Sequence, residues 1–311
     1  GFSSKYWAGN GDITRWRELL SQFRQGTLQG AYSNGIYKDS DGAVYFLQES
    51  DVLGNALETG VLNNQRVSVS GGTDRLRYRI SGNYSHEDGP MVSNKDALTR
   101  KTLNAYLSAD VNRWFTQEAS VFYTAQNRSS IMNVFRDVYS VRLPSWYPEG
   151  YMPAEVVGST EDLLIDSPRN ACLYQPADKK QTSTPRISLR SIIKPLKGWT
   201  ITGEYTYQQE DMDYRSYTGR YIVADAQLAI RTLPAEGQDV YKKNSSTTKY
   251  NALNLFTNYD VKRKGHSFSL VAGFNQEYNI NTYLNTQVLG QTVSSVPSVQ
   301  GGTGEKTLVE G

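Results

Sequence analysis

Cysteine is almost absent: the 311 residues hold one, Cys172. That excludes an internal disulfide and any cysteine-based metal cluster. Histidine is nearly as scarce, and His86 and His266 stand far apart without metal-ligand spacing. Excess charge of one sign is lacking too. The 33 basic and 31 acidic residues leave a net charge of +2, which gives no electrostatic footprint for nucleic acid. No run approaches the roughly 18 apolar residues of a membrane-spanning helix. Apolar residues make up only 38% of the chain, which is low for a soluble core of this size. No secretory leader opens the sequence, and Gly1 is followed by ordinary mid-protein residues, so a piece of a longer protein is expected.

Tyrosine is abundant, with 22 residues. Its ring is apolar and its hydroxyl wet, which suits membrane interfaces, strand surfaces and sugar-binding loops. The segment from Arg75 to Tyr84 alternates polar and apolar residues without a break. Such alternation marks a strand with one apolar and one wet face. The pattern returns over Thr102–Val111, Phe115–Ala125, Arg186–Ile193, Trp199–Tyr207, Ala252–Val261 and His266–Tyr278. A further short strand is expected near 219–223, and another after Tyr283. The connections alternate between short and long, the order of an outer-membrane β-barrel, whose short turns are periplasmic and long loops extracellular. A β-sandwich is the other architecture that alternating strands allow.

The expected fold is therefore all-β: an antiparallel up-and-down meander of about eight to ten strands, part of a large outer-membrane barrel. A short amphipathic helix stands before it over Asp12–Arg24, with Asp12 as N-cap and Ile13, Trp16, Leu20 and Phe23 on one face. Residues 1–64 are expected to form an irregular, helical, extracellular loop-like segment. Residues 65–311 are expected to supply the strands, with long loops near 126–185 and 209–249. Such an arc has two open edges and an apolar band. It is expected to curl with that face inward, to pair with another copy, or to belong to a larger assembly. Burial of Leu76, Leu107, Ile201 and Leu270 is the criterion.

The run from Val67 to Tyr78, Val-Ser-Val-Ser-Gly-Gly-Thr-Asp-Arg-Leu-Arg-Tyr, resembles a hallmark of the SusC/RagA family of TonB-dependent outer-membrane transporters of Bacteroidetes. Ser81-Gly82-Asn83-Tyr84, Glu87-Asp88-Gly89, Asn112-Arg113-Trp114-Phe115 and the hairpin from Asn258 to Glu277 continue the resemblance, which spans about 65–280. Ser50-Asp51-Val52-Leu53 retains only the Asp of the family's Asn-Thr-Asp-Trp. The resemblance implies a transporter of oligosaccharides or peptides in the outer membrane, without a cofactor. It also implies a SusD-like lipoprotein partner, contact with outer-membrane lipid, and TonB acting through a plug region that this sequence does not contain. A secreted or surface β-sandwich that binds glycans is the alternative.

Arg75, Arg77 and Arg79 share one strand face, as Asn104, Ser108 and Asp110 share another, while Glu204 lies on a third. In a barrel these line the lumen, either as cross-strand structure or as a ladder guiding substrate. Trp146, Tyr147, Tyr151 and Tyr174 fall in the longest loop, where their rings either stack on sugar or peptide or pack the loop onto the rim. The clusters Glu161-Asp162 and Glu210-Asp211-Asp213 read as solvated loop charge, because no calcium-binding spacing accompanies them. No acid–base pair or nucleophile constellation can be assigned, so no enzyme is expected.

Overall fold

The computed structural model describes residues 5–131 and 144–311. Its main feature is one antiparallel sheet of nine strands. In chain order the first six are β3 (Leu62–Gly72), β4 (Leu76–Asp88), β5 (Ala97–Asn112), β6 (Phe115–Ser130), β9 (Asp178–Leu196) and β10 (Trp199–Tyr217). They are followed by β13 (Val240–Arg263), β14 (His266–Leu289) and β15 (Lys306–Glu310). Each strand pairs with the next of this set, so the order is an up-and-down meander with β3 and β15 at its edges. The short turns all fall at one end. At the β13–β14 turn, Lys264 and Gly265 both have positive φ, 48° and 83°, the requirement of a type I′ hairpin. At the β9–β10 turn, a Cβ on Gly198 would meet the Asp260 carbonyl oxygen at 2.1 Å, so only glycine lets the neighbouring strand approach.

The strands run further than their apolar alternation. β6 continues to Ser130 and β9 begins at Asp178, which leaves a connection of 131–177 where 126–185 was expected. Residues 132–143 of it lie outside the described residues. The second connection is likewise 218–239 rather than 209–249. The reason is geometric. β13 and β14 are 24 residues each, about 80 Å at roughly 3.3 Å per residue. An apolar band about 25 Å tall occupies only part of that length. Beyond it Gln, Glu, Asp, Ser and Thr keep the ladder going with both faces polar.

The long-loop end carries a cap. It contains α1 (Ile13–Arg24), the two-stranded ribbon β1 (Ile36–Lys38) with β2 (Val44–Phe46), and two short helices, α2 (Ala154–Val157) and α3 (Pro168–Tyr174). A four-stranded sheet joins β7 (Tyr151–Met152), β8 (Leu163–Ile165), β11 (Tyr221–Ala224) and β12 (Ile230–Leu233). The expected helix is present: Asp12 Oδ1 accepts from the Arg15 backbone N–H at 2.9 Å, and Trp16, Leu19 and Leu20 are buried. The compact apolar core lies here. Trp7, Ile36, Val44, Phe46, Tyr147 and Met152 pack in one cluster, and Trp16, Leu19, Leu20 and Leu47 in its neighbour.

The nine-stranded sheet is ordered the other way round from a soluble domain. Leu107 is 45% exposed on one face, and Leu76, Leu189, Leu270 and Phe274 are exposed with it, Ile201 being half-buried. On the opposite face the small polar side chains are covered: Ser108 is 1% exposed, and Ser81, Thr184 and Thr202 are buried. This corrects the expectation that the arc would curl with its apolar face inward. The polar rows crowd together and the apolar rows splay outward, and the strand order stays open. It also removes the β-sandwich, whose apolar residues would share a core.

Candidate functional site

Register places the residues of the polar face in straight rows across the sheet. One row runs Arg77, Ser108, Glu118, Arg190, Glu204, Asn254 and Asn275, each directly opposite the next. Glu118 and Glu204 flank Arg190 at 3.6 and 3.9 Å, and Asn275 donates to Asn254 at 2.6 Å. Arg77 reaches diagonally to Asp110 at 3.5 Å, and Thr116 donates to the same carboxylate at 2.6 Å. Arg77, Arg79, Asp110 and Glu204 therefore share one face. Arg75 lies in the turn before β4, where its backbone carbonyl accepts from the Asp110 N–H at 2.7 Å, and it lines an open groove with Asp110 and Thr116. Arg190 is the member of the row that strand-by-strand reading missed. Its position between two glutamates follows only from register. These pairs are half-exposed, worth about 0.2–1 kcal/mol each.

Higher on the same face, Ser188 and Thr206 hydroxyls meet at 2.9 Å, and the Arg186 guanidinium lies 5.0 Å from the Phe122 ring centre. An open groove of about 560 Å³ follows these rows toward the cap, lined by Asn64, Arg66, Ser81, Asn83, Arg100 and Asn104. The face offers hydrogen-bond donors and acceptors along its whole height. Among the described residues no group of three potential metal ligands occurs. The acidic clusters are spent on structure: Asp162 accepts from the Ala154 N–H, Asp211 from Thr247, and Asp213 pairs with Arg215.

The four loop aromatics separate into two pairs. Tyr147 is 1% exposed, with its ring edge-on to Trp7 at 6.4 Å, and Trp146 packs on Trp16 at 5.4 Å. Tyr147 belongs to the cap core, which corrects its expected contact with substrate, since a ring enclosed beside β1 and β2 cannot stack on a ligand; Trp146 is half-buried at the edge of both clusters. Burial drives the Tyr147 hydroxyl pKa far above its ordinary value, with the Asp166 carboxylate adding to the rise. Tyr151 and Tyr174 are instead 55% and 44% exposed, and their hydroxyls meet at 2.6 Å. Two chain segments thus present one paired aromatic surface on the outside of the cap.

A meander with an outward apolar face, an inward polar face and connections sorted by length defines a portion of an outer-membrane-type barrel wall. No helix among the described residues is long and apolar enough to cross a membrane, a fact that says nothing of strands. No protein-family model matches the chain. In sequence, 232 residues, 70% of the chain, align at 21% identity with TonB-dependent receptor P3 of Formosa agariphila and span 22% of that protein. In fold, the chain superposes on the RagAB peptide transporter with a TM-score of 0.66, covering 96% of this chain and 33% of that one at 13% identity. The RagAB peptide importer in its 'open-open' state gives 0.63 over 97% and 33%, again at 13% identity. The chain therefore spans about a fifth of the receptor and a third of the transporter it matches. In sequence it is similar to a stretch of a TonB-dependent receptor, and its fold is that of part of a transporter barrel wall.

Proposed function

We propose that this chain forms part of the wall and cap of an outer-membrane transporter that imports oligosaccharides or peptides. The observation that carries this is the inverted sheet: covered polar rows on one face and an exposed apolar band on the other. A ligand passing the polar face would meet carboxylates, guanidiniums and amides in register, suited to exchanging hydrogen bonds with sugars or peptide backbones. The short-turn end lies in the periplasm and the cap outside the cell. Energy enters through TonB acting on a plug, and a SusD-like lipoprotein covers the cap, as the family resemblance implies. The chain moves its substrate without chemical change. The peptide branch has the support of the RagAB fold likeness, since RagAB is described as a peptide transporter.

The exposed Tyr151–Tyr174 pair is the contact we assign to substrate. The test is uptake of labelled oligosaccharides and labelled oligopeptides by cells carrying the full-length transporter, with Tyr151→Ala/Tyr174→Ala beside wild type. Loss of two stacking rings should weaken apparent affinity about ten-fold, each ring being worth roughly 0.5–1.5 kcal/mol, while surface levels stay equal. Uptake of neither class by the wild type would refute the transport reading. Unchanged affinity in the double variant would refute the assignment of the tyrosines alone.

A further inference from the structure

The four short-turn stretches, 73–75, 112–114, 194–198 and 262–265, hold seven cations and one anion, Asp74, leaving 26 cations and 30 anions for the rest of the chain. A nearly neutral protein is thus polarised, with its positive charge gathered at one end of the sheet. The cations there are exposed, and none among the described residues takes part in an ion pair. Two of the turns are drawn together where the Lys194 N–H donates to the Trp114 carbonyl at 2.7 Å. Between them lies an open groove of about 700 Å³, where Arg113, Lys194 and Lys197 alternate with Trp114, Leu196 and Trp199.

The apolar members are not randomly placed. Trp199 is opposite both Leu196 and Tyr259, and Tyr259 is opposite Leu270, so this row crosses the exposed apolar face near its lower edge, with only Val261 and Phe268 below it on β13 and β14. Trp199 is fixed: its indole N–H donates to Thr257 Oγ1 at 2.7 Å and its ring meets Tyr259 edge-on at 6.5 Å. Trp114 and Leu196 are exposed beside it. A free phosphate would use the three cations and leave these apolar walls in water. A molecule with an anionic head and a hydrocarbon body satisfies both.

We propose that this groove is a binding site for an anionic phospholipid, its phosphate held by Arg113, Lys194 and Lys197 and its glycerol and upper acyl chains against Trp114, Leu196 and Trp199. The site rests on the reading that the apolar face meets lipid. It places a charge-selective contact at the leaflet facing the short turns, where aromatic rings and basic side chains anchor a protein to headgroups.

The test uses the full-length transporter reconstituted in vesicles of equal dioleoyl phosphatidylglycerol and phosphatidylcholine, extracted in mild detergent and weighed by native mass spectrometry for retained lipid. Wild type should retain phosphatidylglycerol selectively, and R113Q/K194Q/K197Q should lower that retention about ten-fold or more. The charge-preserving R113K/K194R/K197R should keep it, which separates lost charge from lost fold. Equal retention by wild type and the glutamine variant overturns the site, as does equal retention of the two lipids. Displacement of phosphatidylglycerol by inorganic phosphate alone would overturn it in favour of a small-anion site. The orientation is tested separately by K264C labelled in intact cells with an impermeant maleimide. Labelling from outside would refute the proposed topology, whatever the lipid result.

Discussion

Leu189→Arg separates a lipid-facing band from an ordinary protein surface. Leu189 lies on the exposed face of β9, flanked by Ala119 and Tyr205, about midway along the apolar stretch from Pro185 to Leu196. On a surface facing water, an arginine there would change stability by no more than about 0.5 kcal/mol. Facing the middle of a bilayer it costs about 2–4 kcal/mol, whereas Leu196→Arg, at the short-turn boundary, costs about 0–1 kcal/mol. A gap of about 2 kcal/mol is roughly a 30-fold difference in the ratio of folded to unfolded barrel. The assay is urea titration of the full-length transporter in lipid vesicles, with folded barrel read from its mobility on unheated gels. Equal midpoints for Leu189→Arg and Leu196→Arg would refute a depth-dependent apolar environment, and with it the outward orientation of Leu107 and Phe274.

Three further outcomes follow from the cap. Asp239 is fully buried, accepts from Tyr217 Oη at 3.0 Å and from the Gln291 N–H at 2.9 Å, and has Arg220 at 3.6 Å. Arg220→Ala strands that charge, and a loss of about 3–5 kcal/mol should appear as fast hydrogen exchange in 218–239 and 290–305 together. Exchange confined to one connection would show that the cluster does not join them. Tyr147→Ala should open a core cavity costing about 3–5 kcal/mol and make the cap protease-sensitive, while the barrel keeps its gel mobility. Simultaneous loss of both would mean that cap and sheet unfold as one. Burial pushes the Cys172 thiol from 9.0 up to about 12, so the folded cap holds this proton longer than the unfolded chain does. Its contribution is complete below pH 9 and is lost as pH rises toward 12. Cys172→Ala should flatten the alkaline fall in cap protease resistance relative to wild type, and an identical slope would refute this linkage. Lys95, held below its ordinary value mainly by burial, acts in the opposite sense, so the comparison is between variants.

Much of the sheet was legible because a strand with one apolar and one polar face must alternate, and Leu103, Ala105 and Leu107 or Phe268, Leu270 and Ala272 do so. The upper strand segments were not. Residues such as Gln208, Glu210 and Met212 have no apolar face to mark them, and only pairing with Tyr250, Thr248 and Ser246 makes them strand. The α1 helix announced itself through Asp12 and the spacing of Trp16 and Leu20. The cap sheet did not, because β7, β8 and β11 are two to four residues long and come from two distant connections. Of the loop aromatics, Tyr147 and Tyr151 look alike in sequence. What separates them is contact with Trp7, more than a hundred residues away in the chain.

The division of labour between sheet and cap has a physical consequence. The nine strands bury little apolar surface of their own. Their exposed band loses its cost only when hydrocarbon replaces water, and their edge groups at β3 and along β14 outside its short pairing with β15 are satisfied only by further strands. The cap is the reverse: Trp7, Trp16, Tyr147 and Met152 give it an ordinary core that water stabilises. Strands of up to 24 residues bring the two together, because their polar upper halves carry the ladder out of the apolar band to the cap. A substitution in the band should therefore be felt through the bilayer and one in the cap through its core. The polar row through Arg190 belongs to neither regime. Its half-exposed pairs contribute little to folding, which leaves its side chains available for polar contacts on that face.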